Sequence, residues 1–140
     1  MTRTVGVVVG GPGALPVRLV GRAVETVLAG EKRAAAISIA FLGSEAMRRL
    51  NREHKGHDRP TDVISFALPQ PDGTLAGDIY VCRFVAAREA HDRGIPLREE
   101  LLRLVIHGTL HVLGHEHPEA GDREHSAMWR RQEHYLRGLT

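Results

Sequence analysis

The sequence predicts an α/β (α+β) fold: a single domain over residues 1–140, with a central four-stranded sheet packed by helices and a metal site on a buried helix. Three observations point there. Short β-branched segments interleave with longer segments of helical periodicity. The 140 residues, 42% of them hydrophobic, can bury a single core. One segment near the C-terminus, Leu97 to about Leu113, is apolar around most of its circumference, as a central helix must be.

The elements follow in order. Thr4 to Val9 is rich in β-branched residues and reads as a strand, closed by Gly10-Gly-Pro-Gly13. Pro16 to Leu28 carries Val17, Val20, Val24, Val27 and Leu28 at helical spacing, with Pro16 suited to a first turn. Ala36 to Leu42 is a second strand. Ser44 is the expected N-cap of a helix running to about His54. Asp62 to Leu68 is a third strand, followed by a turn at Pro69-Gln-Pro-Asp-Gly73. Leu75 to Cys82 is the fourth strand. Three helices complete the chain: Phe84 to Arg93, Leu97 to about Leu113, and Asp122 to Arg137. Trp129 and Tyr135 are expected to anchor the last helix to the core.

Composition excludes several classes. No stretch approaches the roughly 20 apolar residues of a membrane span. The N-terminal residues lack a cleavage-site pattern, so no signal peptide is expected. The lone cysteine, Cys82, leaves no internal disulfide and reads as a small buried residue. A cytoplasmic protein without membrane association fits all of this. The net charge of +2 does not announce a polyanionic partner. Arg48, Arg49, Arg52, Lys55 and Arg59 nevertheless form a local basic run able to neutralise phosphates. The glycines at 10, 11, 73 and 77 form no phosphate loop or dinucleotide pattern and read as turns.

The chemistry is concentrated in His107-Gly-Thr-Leu-His111-Val-Leu-Gly114-His-Glu-His117. His107 and His111 lie one turn apart on the same face of a helix. Gly114 can end that helix in the left-handed conformation, letting the chain return so that His117 approaches the same point. Three neutral imidazoles around one ion leave a position open, as in catalytic zinc sites. The spacing is also that of the metzincin metal frame, but metzincins carry Glu directly after the first histidine as general base. Here that position is Gly108, which argues against peptide hydrolysis. The remaining histidines share no such spacing, and His115 should point away from the ion.

This segment resembles the signature of the YbeY family of metal-dependent endoribonucleases. Leu50-Asn51, Asp58-Arg-Pro-Thr-Asp-Val-Ile-Ser-Phe66, Gly77-Asp-Ile79 and Met128-Trp-Arg-Arg-Gln-Glu133 resemble further family segments, in family order over roughly residues 36 to 137. The resemblance implies one Zn²⁺ per chain held by His107, His111 and His117. It implies single-stranded rRNA as substrate, with action on the ribosome or its small subunit in 16S rRNA 3′-end maturation and quality control. Zinc lowers the pKa of its water from 15.7 toward about 7. Lys55 stands where the family usually has arginine; it keeps the charge for phosphate stabilisation but loses the bidentate fork. Glu116 stands where the family commonly has Asp and offers a carboxylate beside the last ligand. Asp78 could orient a histidine or fix a turn, and Met128 could lie beneath the site or simply pack in the core. The alternatives are a metzincin-like metallopeptidase and a non-catalytic ribosome-binding factor with a structural metal.

Overall fold

The computed structural model describes residues 15–116 and 126–140, together with the backbone of residues 4–10. The elements run β1 (Thr4–Gly10), α1 (Val17–Glu31), β2 (Ala35–Leu42), α2 (Ser44–Lys55), β3 (Val63–Pro69), β4 (Leu75–Cys82), α3 (Arg83–Arg93), α4 (Leu97–Val112) and α5 (Ala127–Arg137). The strands lie in the order β1-β2-β4-β3. β1 and β2 are parallel, as are β2 and β4, while β3 and β4 form an antiparallel hairpin. The mixed sheet and flanking helices make an α+β fold.

Alternation along β2 and β4 sorts side chains between two layers. Ile37, Ile39, Phe41, Ile79 and Val81 join the main core with α1, α4 and α5. On the opposite face Met47 of α2, Ile64 and Cys82 form a smaller core with Phe66 and Tyr80 packed against it. Cys82 is fully buried, as its strand position predicts.

Several boundaries depart from expectation for identifiable reasons. α1 continues three residues past Leu28, to Glu31. Its extra turn is held from outside: the Tyr135 ring occupies the space a side chain at Gly30 would need, and Glu31 is bonded by α5. Pro16 is the residue before the helix, extended at ψ 138°, not a member of the first turn. Ser44 is the first helical residue of α2; extended Gly43 takes the N-cap position and no side chain caps the helix. The last helix runs over Ala127–Arg137, and Asp122, its expected start, lies outside the described residues. Extended Ser126 takes the N-cap position, and its hydroxyl accepts from the Trp129 amide 3.1 Å away.

Candidate metal centre

The site begins with α4. Between Glu100 and Val112 every residue is buried except His107 and His111. The helix packs against α1, α3, α5, β3 and β4, which leaves a single stripe open. On that stripe the two imidazoles sit one turn apart, ring centroids 4.7 Å apart and edge-to-face. The helix then ends where the sequence predicts. Gly114 takes φ +101°, its N–H donates to the His111 carbonyl, and the His115 N–H donates to the Leu110 carbonyl. His115 turns to Glu31 on α1, with Nε2 2.6 Å from the carboxylate, away from the histidine pair. His117 falls in the segment 117–125, outside the described residues. Among the described residues, then, no set of three or more potential metal ligands comes together.

His107 has a partner that spacing does not reveal. Its Nδ1 lies 2.7 Å from Oε1 of Gln132 on α5, a side chain only 1% exposed. The amide orientation is fixed from the other side, because Gln132 Nε2 donates to Glu133 Oε2 at 3.0 Å. Gln132 Oε1 is therefore the acceptor and His107 Nδ1 carries the proton, leaving Nε2 with its lone pair for a ligand bond. The chain of contacts continues: Arg103 donates to both Glu133 oxygens at 2.9 Å and to Glu100 at 2.8 Å. Burial would raise the Glu133 carboxyl, but hydrogen bonds from Arg103 and Gln132 outweigh it and hold it below its ordinary value. Burial wins at Glu100, whose carboxyl stays above its ordinary value despite Arg103.

Asp78, a candidate for orienting a histidine, lies elsewhere. It pairs with Ser38 and Phe66, on the face of β4 opposite Gly77 and Ile79, which touch Val112 and Gly108 of α4. The period-two pleat turns it away from the histidines, and Gln132 holds the position instead.

The histidine pair opens into a cavity of about 930 Å³. Lys55 at the end of α2, with His57 and Arg59 in the loop that follows, lines one side; Arg93, Trp129 and Glu116 line others. Of the basic run, Arg48 and Arg52 are engaged by Asp58, and Arg48 also by Glu45, while Lys55 and Arg59 border the cavity. Asn51, 4% exposed, donates to the Arg59 carbonyl at 2.8 Å and holds the loop there. Met128 is buried in the main core and also borders the cavity. Trp129, expected as a core anchor, is a half-buried cavity wall, with the Arg93 and Arg103 guanidinium groups each 5.9 Å from its ring.

Gly108 explains itself by close packing. A Cβ there would stand 2.6 Å from Ile79 Cγ2 and 3.0 Å from Ser65 Oγ. The position faces the sheet, so a glutamate could not occupy it with the backbone as it is, and the metzincin-type base has no place here.

The donor set suits a divalent ion of zinc's type: two imidazoles on a rigid helix, one with its second nitrogen fixed by a buried amide. Residues 17–140 match the family described as Endoribonuclease YbeY. Proteins bearing that description include one from Geobacter sulfurreducens, 41% identical over 97 residues covering 66% of this chain and 65% of the relative. One from Chromohalobacter salexigens is 40% identical over 95 residues, covering 66% of this chain and 60% of the relative. A third, from Desulfitobacterium hafniense, is 40% identical over 116 residues, covering 76% and 72%. The chain thus spans less than two thirds of the length of the first two. A solution structure from Thermotoga maritima shares the fold at TM-score 0.66 and 28% identity, over 95% of this chain and 88% of that one. On the strength of these matches, which embrace α1 through α5, the chain belongs to the Endoribonuclease YbeY family.

Proposed function

We propose that this protein is a single-strand-specific, zinc-dependent endoribonuclease, acting in the cytoplasm on 16S rRNA 3′ ends and in late ribosome quality control. One observation carries the reading. A helix otherwise packed into the core presents His107 and His111, its two half-buried residues beyond Glu100, to a cavity also lined by Lys55 and Arg59. Relatives described as endoribonucleases support the substrate class. The absence of any helix long and apolar enough to cross a membrane, among the described residues, is compatible with it.

His107, His111 and His117 would hold the ion. When bound, zinc supplies Lewis acidity, activating water near neutral pH and polarising a phosphoryl oxygen. The chain's own groups do the rest. Gln132 keeps His107 in the tautomer with Nε2 available. Lys55 and Arg59 offset the charge that develops on the phosphodiester, Arg59 with the planar fork that Lys55 lacks. Glu116, which lines the cavity, would serve as a proton acceptor in this reading. The metallopeptidase alternative loses its general base to the packing of Gly108 against Ile79.

The test is cleavage of end-labelled single-stranded RNA carrying an unprocessed 16S 3′ extension, with and without Zn²⁺, by wild type and His111→Ala. Zinc-dependent cutting by wild type alone supports the proposal. Equal cutting by both points to a contaminating nuclease. If neither cuts although wild type holds zinc, a non-catalytic ribosome-binding factor becomes the better reading.

A further inference from the structure

Among the described residues, two buried side-chain polar atoms have no hydrogen-bond partner: Arg83 Nε and Ser65 Oγ. Arginine has other nitrogens to engage, but serine has only its hydroxyl. Ser65 sits on β3 opposite Ile79, so both face α4, and it borders the same cavity as His107 and His111. Its hydroxyl lies beneath position 108, where any β carbon would come within 3.0 Å of Oγ. The glycine that excludes a peptidase base therefore also spares this buried hydroxyl a clash with a β carbon.

An orphaned hydroxyl in a protein interior calls for an explanation, because alanine would fill the same space without an unmet hydrogen bond. The oxygen itself is buried, while the residue as a whole is half-buried and lines the cavity, so the hydroxyl sits just behind the cavity wall and not deep in the core. A donor in that position, screened from bulk water and beside a metal-type histidine pair, suits an oxyanion that arrives with the substrate.

We propose that Ser65 is a substrate-binding residue whose hydroxyl donates a hydrogen bond to a non-bridging oxygen of a phosphate held against the histidine pair. The proposal rests on the endoribonuclease reading and adds a contact to it. Its signature is a separation of stability from function. Ser65→Ala removes an unsatisfied group, so its melting temperature should equal or exceed that of wild type and its Zn²⁺ affinity should stay within about twofold. Affinity for inorganic phosphate, titrated into the zinc-loaded protein, should fall roughly tenfold. Single-stranded RNA cleavage should lose at least tenfold in kcat/KM, a modest loss for one oxyanion donor. Ser65→Thr, which restores a hydroxyl on a strand-compatible side chain, should recover part of both.

Three outcomes would overturn it. If Ser65→Ala binds phosphate and cleaves RNA as wild type does, the hydroxyl serves at most a buried water, and the endoribonuclease reading survives without it. If Ser65→Ala melts well below wild type, the hydroxyl has a structural partner. If wild type neither binds phosphate nor cleaves RNA, this proposal falls together with the reading it rests on.

Discussion

Replacing Gln132 with methionine tests whether the buried amide, and not only the imidazoles, makes the metal centre. The side chain is 1% exposed and its Oε1 lies 2.7 Å from His107 Nδ1, so methionine keeps the volume and deletes the acceptor. Glu133 loses one donor but keeps two contacts from Arg103, so the damage should stay local to His107. A buried donor deprived of its partner costs about 1–3 kcal/mol. Partners that orient a metal-binding histidine typically contribute 10–100-fold in affinity, or about 1.4–2.8 kcal/mol, and the two ranges agree. The Zn²⁺ dissociation constant, read by chelator competition, should therefore rise about 10- to 100-fold in Gln132→Met. Gln132→Glu keeps an acceptor facing Nδ1 and should bind zinc more tightly than Gln132→Met. Zinc binding by Gln132→Met within twofold of wild type would refute the reasoning, since the histidine would then need no buried acceptor to orient it.

Two further perturbations follow from the packing and the charges. Gly108→Ala places a methyl 2.6 Å from Ile79 Cγ2 and should destabilise the fold by about 1–3 kcal/mol in urea denaturation; an unchanged midpoint would mean that α4 has room to retreat from the sheet. Burial would raise the Glu31 carboxyl, but hydrogen bonds from Tyr135, Arg131 and His115 overcome that and hold it at about 2, against 4.5 ordinarily. Because the folded value is the lower one, the stabilisation is fully present above about pH 4.5 and disappears as pH falls through about 2. The interval corresponds to roughly 3 kcal/mol at most, for a side chain 10% exposed. Glu31→Gln should therefore be less stable than wild type near neutral pH, with the gap closing below pH 3. A gap that persists at pH 2 would show that shape, not charge, is what Glu31 contributes.

Which parts of this site could be read from the sequence depended on whether one element carried the information. His107, His111 and the helix end at Gly114 belong to one continuous segment, so spacing alone places them. The strands, and the turn between β3 and β4, were legible from local pattern and turn residues, while the antiparallel pairing of those two strands came only with the structure. Gln132 was not, because its partner lies 25 residues away and the pairing exists only once α5 packs on α4. A signal was nevertheless present: Met128, Gln132 and Tyr135 recur at helical spacing and all are buried, so the amide interrupts an otherwise apolar stripe and must find a partner inside. Asp78 was left open between two uses because a strand's alternation does not say which face meets which helix until the sheet is assembled. Ser44 and Trp129 failed for a similar reason. A serine beside a helix start and an indole on an amphipathic helix each have two common uses, and neighbouring backbone decides between them.

The placement of both histidines on α4 has a consequence for exchange kinetics. Since the helix touches α1, α3, α5, β3 and β4, no small local opening can release it. The amide protons of residues 107 and 111 should then exchange with deuterium only when the whole molecule unfolds, among the slowest in the chain. A metal bound there would draw its kinetic hold on these two ligands from the lifetime of the entire native state, and each added increment of global stability would lengthen it.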